Sequence, residues 1–173
     1  GIVGEILVQY HPDANNNAVG TVEAEGREAE LPSLAQFFHN SLATADWKRD
    51  TLGSVTAKQA NMQKLGLWIL QQYEKPAREA FEKSSRFEAG ATIQELRDKA
   101  QDIVSLGNQA GEGWYLAAGM TDMIENGCPN IICAQPFACL PNPVEGRGQF
   151  KALTAKSPQA NAVPIDDDAG ASS

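Results

Sequence analysis

The sequence predicts an α/β fold, with a mostly parallel sheet of about four strands and a long helical insertion. Three observations carry it. Short apolar runs bounded by Gly, Pro and Asn sit near both ends of the chain. Helical patterns separate those runs, the arrangement that builds parallel sheets through crossover connections. Between Ser33 and Leu106 there is little β signal and sustained helical periodicity.

In order, "IVGEILVQY" (2–10) alternates and ends at His11-Pro12, which reads as a first strand. Asp13 to Asn17 is a polar turn, and "NNAVGTVEAEG" fits a helix closing at Gly26. "REAELP" completes a strand–helix–strand unit as a short second strand. The insertion spans about residues 33–106. There "SLAQFFHNSLATADW" sets Leu34, Phe37, Phe38 and Leu42 on one helix face, and a longer helix does the same with Met62, Leu65, Ile69, Leu70 and Tyr73. "TIQELRDKAQDIVSLG" opens with Thr92 and Glu95 at capping-box spacing and is expected to close near Gly107. After it come a helix in "GEGWYLAAGMTDMIENG", a buried-type strand in "NIICAQP", a helix in "GQFKALTAKSP" and a last strand in "NAVPID". The plan is Rossmann- or flavodoxin-like, a single domain over 1–173. Opening and closing on strand patterns, it has the look of a domain excised from a longer protein.

Composition narrows the function. The formal net charge is −8 and no run of Lys or Arg stands out, which disfavours nucleic acid as a partner. No apolar run approaches the roughly 20 residues of a membrane span, so no membrane partner is expected. Three cysteines make an odd count, which argues against a closed disulfide framework. Reduced thiols of a cytoplasmic protein, or metal ligands, are the readings that remain.

The chemistry-bearing residues gather in three places. In "NIICAQPFACLPNP", Pro136 should end the strand, so that Phe137 to Asn142 lie beyond its carboxyl end, where open α/β sheets bind ligands. Cys139 is the better metal-ligand candidate because it stands in that loop. Cys133 lies within the strand and reads either as a small core residue or as a second ligand. Cys128 reads as incidental, and no spacing is the C-x2-C of a self-contained site. In "GNQAGEGW", Asn108, Gln109, Gly111 and Gly113 precede a helix whose free N–H groups attract anions, or else form a tight turn that needs glycine. His11 ends the first strand as a candidate acid, base or ligand, whereas His39 on an amphipathic helix reads as structural. Asp166 to Asp168 form either a magnesium site or a solvated strand end.

Four ordered blocks, "VGEILVQYHPDANN", "SLGNQAGEGW", "PNIICAQPFACLPN" and "VPIDDDAGAS", resemble the large CoA-substrate-specific enzyme activase-related proteins of anaerobic bacteria. The likeness runs from about residue 2 to 172 and is to the part related to the 2-hydroxyacyl-CoA dehydratase D-component and benzoyl-CoA reductase subunits. It implies an iron–sulfur cluster shared between domains and reduced by an ATP-hydrolysing module, with an acyl-CoA thioester as substrate. It places the family's cysteine on Cys139, and with a cluster there His11, Asn108, Gln109, Gly111 and Gly113 become candidates to lie behind the ligand or to face the substrate. Ala138 stands where the family has Gly, Pro143 where it has His, Asp167 where it has Tyr and Ala169 where it has Pro. An Ala at position 138 restricts the backbone if a positive φ is required there. The expected role is thus to supply a cysteine loop to a shared centre used in low-potential electron transfer. The competing expectation is a docking domain of the same large protein, without chemistry of its own.

Overall fold

The computed structural model describes residues 1–87 and 89–167. Three parallel strands, β1 (Ile2–Gly4), β2 (Asn130–Pro136) and β3 (Asn161–Asp167), form a sheet in the order β1-β2-β3. The α/β class is as the sequence predicts, with three strands in place of four.

Both differences at the amino-terminal end have identifiable causes. The first strand stops at Gly4, which lies at φ +148 so close to β2 that a Cβ there would sit 1.7 Å from the Ala134 carbonyl oxygen. The chain then turns into a short helix, α1 (Ile6–Tyr10), because Glu5 accepts from Leu7 N and Val8 N at 2.9 and 2.8 Å. A carboxylate that satisfies the orphan amides of a first turn favours helix over extended strand. The segment "REAELP" forms no strand. It meets β1 through one bond, Ile2 N to Glu30 O at 2.8 Å, and its Pro32 has no N–H to extend a ladder.

α2 (Ala18–Ala24) ends before Gly26 at φ +72. The helical region comprises α3 (Leu34–Ala43), α4 (Ala45–Trp47) running into a π-turn at Lys48–Leu52, α5 (Ala57–Glu82) and α6 (Ile93–Ala100). Capping boxes start α5 at Thr56/Gln59 and α6 at Thr92/Glu95. α6 stops at Ala100, short of Gly107. The Ser105 carbonyl accepts from Asn108 N, and Ser105 Oγ accepts from Gly107 N, local bonds that compete with a continuing helix.

α7 (Trp114–Glu125) joins the two halves, and every residue except Asp122 and Glu125 is buried. A helix apolar all round belongs between two layers. Its first turns, Trp114, Tyr115, Ala117 and Ala118, pack with Leu67, Ile93 and Leu96 of the helical region. Its last turns, Met120, Met123 and Ile124, pack with Val3, Ile131, Cys133 and Leu153 on one face of the sheet. Ile2, Val8 and Ala134 form a smaller core with Val19 and Leu31. After β2, a π-turn at Asn142–Gly146 and α8 (Phe150–Lys156) lead into β3. Among the described residues no helix is long and apolar enough to cross a membrane.

Candidate functional site

The register Gly4↔Ala134 aligns the carboxyl ends of β1 and β2, and the candidate site lies just beyond them. The chain leaves β2 in a turn closed by Cys139 N donating to Pro136 O at 3.1 Å. Phe137 and Leu140 point into solvent, and Ala138 between them adopts φ +62. A left-handed conformation costs a non-glycine residue about 1–2 kcal/mol, so this turn is a glycine position held by alanine. It presents Cys139 half-buried, with Sγ accepting from Asn142 Nδ2 at 3.1 Å. Asn142 itself is fully buried, and its Oδ1 has no hydrogen-bond partner.

Cys133 has the opposite setting. The Asn142–Gly146 turn lies directly on it, so closely that a Cβ on Gly146 would come 2.9 Å from Cys133 Sγ. Burial pushes the Cys133 thiol up to about 12, with Asp166 and Cys139 as further contributors. The sulfur is therefore a neutral core atom, a member of the cluster around Met120 and Ile131. Cys128 lies at the other end of β2, where its Sγ accepts from the Gly1 amino group at 2.9 Å.

The glycine loop reaches the cysteine loop. Gly111, at φ +54, lies against Pro141, whose Cγ would be 3.1 Å from an added Cβ. Gly113, at φ +47, closes a turn so tight that a Cβ would come 2.1 Å from Asn108 O. The first amides of α7 are spent within the loop: Trp114 N donates to Asn108 O and Tyr115 N to Glu112 O, both at 2.9 Å, and Leu116 N to Gly113 O at 3.2 Å. Asn108 Nδ2 donates to Ser105 O at 2.9 Å. Gln109 accepts from Thr44 Oγ1 at 3.0 Å and donates to Leu106 O. Both side chains thus brace the loop. Glu112 is buried and accepts from Ile6 N at 2.9 Å, tying the loop to α1. His11 follows α1 and is exposed, and among the described residues its side chain makes no hydrogen bond to either loop. His39 is buried, 3.5 Å from Glu74.

At the β3 end, Asp166 accepts from Gln135 Nε2 and lies 3.6 Å from Arg147. Burial raises Asp167, with Asp166 adding to the shift, and burial also raises Glu145. Asp168 lies outside the described residues.

Among the described residues, no three His, Cys, Asp or Glu side chains converge as a metal site. The three thiols are strung along β2, one before it, one inside it and one beyond it. The chain does not by itself fit a four-thiolate cluster; it offers one half-buried thiol at the sheet end. No family model, curated protein or solved structure matches the chain.

Sequence reasoning missed Asn142 and the structural use of Glu112. The first had a weak signal, a polar residue between two prolines three positions after Cys139. The second had none, because Glu112 caps a helix more than a hundred residues away.

Proposed function

We propose that this chain presents Cys139 as one thiolate ligand of an iron–sulfur centre completed by other polypeptide, in a protein of CoA-thioester metabolism. The observation that carries the reading is the Asn142 Nδ2 to Cys139 Sγ bond, made by a buried amide to a half-buried sulfur beyond β2. Donors to ligand sulfur complement its negative charge and tune cluster potential. The four sequence blocks support the same reading. The proposed setting is cytoplasmic, with an ATPase module delivering the electron and an acyl-CoA thioester receiving it. When bound, the cluster would supply one-electron chemistry; this chain would supply one ligand, its orienting amide and a loop that limits water. Cys133, enclosed and neutral, has no part in it.

The test is anaerobic iron and sulfide reconstitution of the complete protein as wild type, Cys139→Ala and Cys133→Ala. The expected result is loss of cluster iron and of its EPR signal in Cys139→Ala alone. Unchanged iron in Cys139→Ala would reject the ligand role.

A second reading, a docking domain, is favoured by α5. Met62, Leu65, Trp68 and Tyr73 are 64%, 56%, 57% and 81% exposed along one helix. Apolar stretches of this kind mark contacts with other polypeptide.

A further inference from the structure

A cavity of about 560 Å³ lies between the helical region, α7 and the segments 30–33 and 89–91. Its size falls within the ~300–1,000 Å³ of small-molecule sites. Buried Leu96, Tyr115 and Met123 contribute to its inner wall, and the more exposed Tyr10 and Phe81 also line it. Both tyrosine hydroxyls are already committed, Tyr115 to Ser33 O at 3.0 Å and Tyr10 to Pro32 O. What they offer a ligand is ring carbon.

The charges in the wall are unbalanced. Arg78 is the one cationic side chain among the described lining residues, and its Nη1 donates to Gly90 O at 2.8 Å. Against it stand Glu30, Glu74 and Asp122. Lys99 neutralises Asp122 at 2.7 Å. Glu74 has no such partner: among the described residues the one basic group within ion-pair reach is His39, at 3.5 Å, and burial lowers the proton affinity of that imidazole. Glu74 Oε1 is buried without a hydrogen bond. A carboxylate with no permanent cation within ion-pair distance, in a wall shared with three aromatic rings, is a combination that suits an organic ammonium group.

We propose that this cavity binds a small organic cation, a primary ammonium carried on an apolar or aromatic body, with Glu74 as its counter-ion and Tyr10, Phe81 and Tyr115 around the body. An anionic ligand of the same shape would face Glu30 and Glu74, against Arg78 alone as an attracting charge, and is disfavoured. The inference is independent of the cysteine loop.

Titration calorimetry of the full chain with 2-phenylethylammonium, 2-phenylethanol and 3-phenylpropanoate tests it. The ammonium should bind, the alcohol more weakly and the carboxylate not at all. Glu74→Gln should weaken the ammonium by about tenfold or more, the loss expected of a charged hydrogen bond. Ala77→Trp, which fills the cavity from α5, should abolish binding while circular dichroism stays unchanged. Absence of heat with millimolar ammonium, equal binding of ammonium and carboxylate, or a Glu74→Gln affinity within about twofold of wild type would each overturn the proposal.

Discussion

The two halves of the molecule use apolar residues in opposite ways. Around β1, β2 and α7 the chain covers its own hydrophobic surface: β1 is buried along its length, and Met120, Ile131 and Leu153 are sealed, while β3 leaves Val163 and Ile165 exposed. In the helical region, α5 buries only Ala60 and Leu67 of its 26 residues and turns Met62, Leu65, Ile69 and Tyr73 outward. In sequence the sheet side reads as short apolar runs and α5 as an amphipathic helix. The difference teaches that periodicity identifies a face that wants a partner, without saying whether that partner lies in the same chain.

The largest test of this contrast is at Gly4. An added Cβ meets the Ala134 carbonyl at 1.7 Å, and Gly4→Ala is expected to separate β1 from β2 and cost more than about 4 kcal/mol in urea unfolding. Full stability in that variant would break the account of the sheet.

Next comes a matched pair. Met120→Ala, fully buried in α7, should cost about 2–5 kcal/mol. Ile69→Asp, on the outward face of α5, should change stability by only about 0.5 kcal/mol. Comparable losses would mean that α5 is covered within the chain.

A third test uses pH. Cys133 has its thiol raised from 9.0 to about 12, so the unfolded chain releases this proton first. The stabilisation is fully present below pH 9.0 and is lost as pH rises from there towards 12. Urea unfolding at pH 8 and 10 should therefore show a steeper alkaline loss in wild type than in Cys133→Ala. Equal slopes would place that sulfur in contact with water.

The smallest effect is at Ala138. Relieving its left-handed φ by Ala138→Gly should add about 1 kcal/mol, read as a higher thermal midpoint. A lower midpoint would show that the turn is unstrained.

Much of the framework was legible in the sequence, and the failures share a cause. The capping boxes at Thr92/Glu95, the strand in "NIICAQP" and the glycine stop at Gly26 follow local rules and stand in the structure. The first strand was overextended because what ends it is remote: the Ala134 carbonyl sets the limit at Gly4. "REAELP" alternates like a strand, yet its ladder stops after one bond. At the site, proximity of the loop at Gly111 to Pro141 follows from tertiary packing that no spacing encodes. The cavity at Glu74 escaped for the same reason, since its walls come from five separate segments.

The central claim is that the fold offers Cys139 and withholds Cys133. Alkylation of the native protein with iodoacetamide, mapped by mass spectrometry over time, tests it directly. The expected result is modification of Cys139 under native conditions, with Cys133 protected until the chain is unfolded in urea. Native-state labelling of Cys133 at the rate of Cys139, or protection of both, would contradict it.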